Sequence, residues 1–137
     1  MPADKNVVDA LGSDDPVLIK GVRAAQSGNL TRSLTKLKKY LVKKSDGSIE
    51  LEKVSDSKVR HTISQAKTAY ENVGELHGRY LLKKTGLVDT AEADEEFISK
   101  VEDTYDEVVE LQEQFDVQSQ QKSVSSSVAE GSIFQVS

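Results

Sequence analysis

The sequence predicts an all-α fold: a long, coiled-coil-like antiparallel helical hairpin, completed by two shorter N-terminal helices into a bundle of three or four helices. Two segments repeat apolar residues at heptad spacing and are joined by a short turn. The 137-residue chain is 36% apolar and 5% aromatic and has only two prolines, a composition that suits long, partly solvated helices.

The first two predicted helices are delimited by capping residues and by glycine. Asp15 as N-cap with Pro16 at the first helical position predicts a helix start, and Ser27-Gly28 predicts its end. A second helix is expected from Asn29 or Thr31. Its leucines follow a 4-3-4 spacing that places them on one face: Leu30, Leu34, Leu37 and Leu41.

A connector is predicted between the second and third helices. Residues 45–57 are rich in turn-forming side chains, and Asp46-Gly47 is a strong turn signal. The segment has room for one helical turn around Ile49 and Leu51.

The third predicted helix, from Asp56 to Lys84, has the most regular pattern in the chain. Apolar or aromatic residues and one histidine follow a 4-3-4-3-4-3 spacing: Val59, Ile63, Ala66, Tyr70, Val73, His77 and Tyr80. Gly86 predicts the stop.

The fourth predicted helix begins at Asp89, whose spacing to Glu92 fits a capping box, and ends near Asp116. It has its own apolar face: Phe97, Val101, Tyr105, Val108, Leu111 and Phe115. We call these two sets of residues the seams, and expect them to mediate self-association into a homo-oligomer, either by closing one chain or by swapping between chains.

The predicted domain is residues 15–116, between a flexible N-terminus (1–14) and a disordered Ser/Gln-rich tail (117–137). The first residues lack the apolar core and the basic start of a signal peptide, and no stretch reaches the roughly 18 apolar residues of a membrane span. We therefore expect a cytoplasmic or nuclear protein without an anchor.

The residues that usually carry catalysis are scarce. The chain has no cysteine, and His61 and His77 lie about 24 Å apart along one helix, so they cannot share a metal within one chain. The sequence predicts no enzyme, cofactor, metal site or small-molecule substrate. His77 falls on a seam, where it either fixes the register of the helices or acts as a pH-sensitive element.

The charges are segregated along the chain. Residues 16–44 contain eight basic residues and no acid, whereas 89–116 contain twelve acids and one base. The basic segment either complements the acidic helix, binds RNA or an anionic membrane surface, or is simply solvated. The candidate anion-binding residues are Arg32, Lys36, Lys38, Lys39, Lys43 and Lys44.

The run RAAQSGNLTRSLTKLKKYL resembles the opening of Gag polyproteins of Bel/Pao-type LTR retrotransposons. An Arg, a spacer and a G-x-[LI]-T-R element occur at Arg23, Gly28, Leu30, Thr31 and Arg32. The resemblance implies a self-associating N-terminal Gag region, or a protein domesticated from one. The sequence thus predicts a non-enzymatic assembly module; the alternative is an anion-binding module that uses the basic helix 31–44.

Overall fold

The computed structural model describes residues 5–84 and 91–131, with side chains up to residue 119. This part of the chain contains four helices and a two-stranded antiparallel hairpin, so the predicted all-α class is confirmed. In chain order these are α1 (Lys5–Leu11), α2 (Pro16–Tyr40), β1 (Leu41–Lys43), β2 (Ile49–Leu51), α3 (Asp56–Lys83) and α4 (Ala91–Gly131).

Helices α2, α3 and α4 form the bundle. Arg23 near the start of α2 contacts His77 near the end of α3, which makes these two helices antiparallel. Helix α4 runs antiparallel to α3, since Arg60 pairs with Asp116 at one end and His77 lies beside Phe97 at the other. Helices α2 and α4 are consequently parallel.

The predicted break at Ser27-Gly28 is wrong, because α2 is one helix of 25 residues. Its start is as predicted: the Asp15 carboxylate accepts a hydrogen bond from the Val17 backbone N–H over 3.0 Å, and Pro16 follows. A helix tolerates an isolated glycine at about 1 kcal/mol, which burial of the apolar Leu30 side chain offsets.

The connector is a β-hairpin, so the helical turn allowed for around Ile49 and Leu51 does not form. Leu41 pairs with Leu51 and Lys43 with Ile49. The predicted basic helix 31–44 is therefore wrong at its end, because α2 stops at Tyr40 and Leu41–Lys43 form β1. Gly47 has φ of 88°, the left-handed conformation that its place in the Asp46-Gly47 turn requires. Leu41 and Ile49 are buried in the core, and this burial favours strands over a short helix.

Helix α3 matches its prediction closely. Ser55 caps its N-terminus by accepting from the Lys58 N–H over 3.2 Å, and the helix ends at Lys83. The predicted stop at Gly86 and the predicted cap at Asp89 lie outside the described residues.

The predicted end of the fourth helix at Asp116 is also wrong, since α4 continues to Gly131. No glycine or proline interrupts residues 117–130, and serine and glutamine are compatible with a helix. The Gln118 side chain, beyond the predicted end, accepts from the Ile49 N–H over 2.7 Å and donates to the Ile49 carbonyl. It thereby attaches α4 to the edge of β2.

A short helix lies where a flexible N-terminus was expected. Val7 and Ala10 of α1 are buried against Ile19, Leu76 and Tyr80. The loop after α1 is held by Arg79, which donates to the Ser13 carbonyl. Helix α1 and the loop after it therefore belong to the packed structure.

Candidate functional site

The seams lie inside the bundle of a single chain. Eight seam residues are buried and the others half-buried. All but His77 and Tyr80 belong to the core between α2, α3 and α4, and Tyr80 packs in a second cluster with residues of α1 and α2. The buried ones are Val59, Ile63, Ala66, Val73, Tyr80, Val101, Val108 and Phe115; the half-buried ones are Tyr70, His77, Phe97, Tyr105 and Leu111. The residues predicted to join copies of the chain thus form its own core.

An aromatic stack joins the two seams at mid-height. The rings of Tyr70 and Tyr105 lie 4.0 Å apart and 3° from parallel. Burial raises the pKa of the Tyr105 hydroxyl, and the nearby Glu71 carboxylate and Tyr70 raise it further. The stack is a structural contact between α3 and α4.

A buried charged cluster, which we call the Arg23 cluster, joins all three long helices. It consists of Arg23 on α2, His77 at one end of α3, Lys84 just beyond that end, and Asp94 in the first turns of α4. Arg23 is only 4% exposed, and its guanidinium lies over the rings of Tyr80 and Phe97, 4.5 and 4.1 Å from their centroids. Cation–π contacts of this kind gain strength when they are desolvated.

Hydrogen bonding within this cluster fixes the protonation state of His77. Arg23 Nη1 lies 2.9 Å from His77 Nδ1. Because a guanidinium can only donate, Nδ1 must accept, and the ring is neutral. Burial lowers the pKa of His77, the Arg23 and Lys84 charges lower it further, and Asp94 opposes them.

Asp94 supplies the negative charge of the cluster. It is 4% exposed, lies 3.7 Å from Arg23 and also pairs with Lys84. Breaking such a buried arrangement on one side is strongly unfavourable, so it fixes the register of α2, α3 and α4. The sequence indicated a special position for His77, but it did not predict that Arg23 and Asp94 are buried beside it. The feature that could have indicated this is a charged residue on the apolar face of each helix.

The basic segment divides into paired and outward-facing residues. Lys38 pairs with Glu107 of α4 over 3.0 Å, and Lys44 with Glu50 of β2 over 3.7 Å. Arg32, Lys36 and Lys39 are exposed on the side of α2 away from the core. We call these three residues the basic stripe; the sixth candidate, Lys43, is exposed on β1.

A row of six acids and one serine runs along the exposed face of α4. Its residues are all exposed and follow a 4-3-4-3-4-3 spacing, and we call them the acidic stripe: Glu92, Glu96, Ser99, Asp103, Asp106, Glu110 and Glu113. The stripe is about 31 Å long at about 1.5 Å per residue. The spacing of this row is visible in the sequence, but only the apolar seam of the same helix was predicted.

Membrane-spanning helices and metal-ligating groups are both absent from the described residues. Within 5–84 and 91–131, no helix combines the length and apolar content that a bilayer crossing requires. Over the same described residues, no group of three or more His, Cys, Asp or Glu side chains is placed to hold a metal ion.

Comparison with known proteins finds no relative of this chain. The chain matches no protein-family model, no curated protein and no solved structure. Of the residues that carry the Gag resemblance, Gly28, Thr31 and Arg32 lie in the middle of α2 and do not begin a helix. A function for this chain must therefore be argued from its geometry.

Proposed function

We propose that this chain is a non-enzymatic helical assembly module that associates with further copies of itself. The observation that carries the proposal is the presence, on one chain, of two outward faces of opposite charge: the basic stripe on α2 and the acidic stripe on α4. A molecule that bears both has a complementary partner in every other copy.

The mechanism differs from the one that the sequence suggested. Because the seams are filled within the single chain, we infer that association uses the outside of the bundle. Exposed charges attract weakly and are screened by salt, so we expect reversible, salt-sensitive association. A weak contact repeated many times is suited to a structural lattice. The resemblance to the N-terminal Gag region points to the same class of function.

The alternative function is anion binding by the basic segment. Lys36, Lys39 and Lys43 are exposed and form no ion pair with any described residue, so phosphates of RNA or of an anionic membrane could reach them. Lys38 and Lys44 are partly neutralised by Glu107 and Glu50, which weakens this alternative. The basic stripe also presents no aromatic side chain for base stacking.

Sedimentation velocity of the wild-type chain over a concentration series distinguishes the two functions. At about 0.1 M salt, where the screening length is about 10 Å, we expect the sedimentation coefficient to rise with concentration. At about 1 M salt the rise should disappear. A chain that stays monomeric at both salt concentrations, but shifts on addition of single-stranded RNA or anionic vesicles, would support the alternative.

A further inference from the structure

We propose that copies join through one specific contact, in which the basic stripe of one copy lies antiparallel along the acidic stripe of the next. This inference rests on the proposed function and names the surfaces that perform it.

The two stripes match in spacing. Arg32, Lys36 and Lys39 follow a 4-3 spacing on α2, and the acidic stripe has the same alternation. Heptad spacing keeps residues in one narrow row, so two such rows can meet along their length. In antiparallel alignment, Arg32 lies opposite Glu110, Lys36 opposite Asp106 and Lys39 opposite Asp103.

Apolar side chains select the antiparallel direction. In that register Ala25, exposed on α2, lies opposite Val117, which is 53% exposed and occupies the stripe position after Glu113. The parallel alignment that also meets three acids places Val117 beyond the end of α2 at Tyr40, with no helical position opposite it. Burying one apolar group beside another is favourable, and only the antiparallel register does so here. Helix dipoles also favour the antiparallel arrangement.

Five of the six charges of this contact form no ion pair in the described part of the chain, and the sixth, Arg32, donates a hydrogen bond to Asn29 of its own helix. Lys36, Lys39, Asp103, Asp106 and Glu110 are exposed and form no ion pair there. Their neighbours Lys38 and Glu107 do pair, but with each other, between α2 and α4 of the same chain. The Lys38–Glu107 pair thus joins α2 to α4 within the chain, and the basic and acidic stripes remain available to another copy.

The contact joins two different surfaces, so it is heterologous. Each copy offers its basic stripe to one neighbour and its acidic stripe to another. Repetition of such a contact gives open filaments or closed rings instead of a two-fold dimer. Growth with concentration, beyond dimer, is therefore expected of the wild-type chain.

Two half-neutralised variants test this geometry. Lys36→Gln with Lys39→Gln removes two of the three charges of the basic stripe, and Asp106→Asn with Glu110→Gln removes two of the three acids that lie opposite it. Alone, each variant should associate about tenfold or more weakly than the wild type. Mixed in equal amounts, they should form a 1:1 dimer that does not grow, because only one complementary pair of faces remains. Sedimentation velocity at about 0.1 M salt measures all three samples.

The matched control is Lys58→Gln with Lys67→Gln, which removes two exposed lysines from α3 and should associate like the wild type. Circular dichroism verifies that every variant is folded. If the wild type associates and the half-neutralised variants associate equally well, or their mixture stays monomeric, the contact proposed here is wrong while self-association stands. If the wild type never associates, the proposed function fails with it.

Discussion

The Arg23 cluster shows how single residues set the register of the bundle. Arg23 holds the α2 position against α3 through His77 and against α4 through Asp94. Apolar seams alone permit a helix to slide by one heptad, because every heptad offers a similar surface. A buried charge with fixed partners permits only one alignment.

Removing the Arg23 charge should destabilise the fold strongly. We expect Arg23→Met to lower the free energy of unfolding by about 2 kcal/mol, because buried Asp94 then keeps only Lys84 as a cationic partner and His77 loses its donor. Adding Asp94→Leu should restore part of the loss, since no buried carboxylate then remains and the partly exposed Lys84 can reach water. Urea unfolding of the single and double variants measures both steps; a double variant less stable than Arg23→Met would contradict this account.

His77 should make stability fall in mild acid. The pKa of His77 is lowered in the folded chain from its ordinary value of 6.5. Below about pH 6.5 the unfolded chain therefore takes up a proton that the folded chain does not, and the free energy of unfolding decreases with falling pH. Above that pH this contribution is constant.

Urea unfolding between pH 5 and 8 tests the role of His77. His77→Gln should remove most of the slope, because an amide oxygen can still accept from Arg23 but does not titrate. The matched control is His61→Gln, at an exposed position on the same helix, which should retain the slope. A slope unchanged in His77→Gln would show that another group causes it.

At the scale of elements, the unbroken α2 is the main departure from expectation. Because Ser27-Gly28 does not end α2, the row of the basic stripe continues back to Ala25 on the same helix. An alanine Cβ at Gly28 would meet only Arg32 Nη1, at an ordinary 3.5 Å. We expect Gly28→Ala to stabilise the chain by about 0.5–1 kcal/mol.

Thermal or urea unfolding checks the Gly28 prediction. Gly47→Ala serves as the opposite case, because φ at Gly47 is 88°, and it should destabilise by about 1 kcal/mol. Destabilisation by Gly28→Ala would indicate that the chain turns at this position and that α2 is two helices.

The extension of α4 beyond Asp116 can be tested at Gln118. Its amide makes two hydrogen bonds to the backbone of Ile49, so Gln118→Ala should lower the free energy of unfolding by about 1–2 kcal/mol. Gln114→Ala, one turn earlier on the same helix, should have little effect. Equal effects of the two substitutions would mean that the contact with β2 contributes nothing.

Elements whose apolar spacing repeats several times along the sequence were predicted correctly. The α3 seam, with seven positions in heptad spacing, gave the correct helix and the correct buried face. Elements decided by tertiary contacts were missed: α1 depends on burial of Val7 and Ala10, and β2 depends on burial of Ile49. Of the site, the sequence identified the basic residues but could not tell which of them pair inside the chain.

At the scale of the molecule, apolar and charged patterns have separate roles. The seams pack against each other within one chain. The basic stripe on α2 and the acidic stripe on α4 remain exposed and carry opposite charges. Large net charge of one sign keeps copies apart, but segregated charge of both signs brings them together. The central claim is that α2 of one copy meets α4 of another.

Energy transfer between differently labelled copies tests this claim most directly. The chain has no cysteine, so Thr35→Cys on α2 and Ser99→Cys on α4 each give one label without removing a charge, and Ser64→Cys on α3 is the control. We predict strong transfer between α2-labelled and α4-labelled copies at low salt, and weak transfer from either to α3-labelled copies. Strongest transfer between two α2-labelled populations, or none in any pair, would contradict the account.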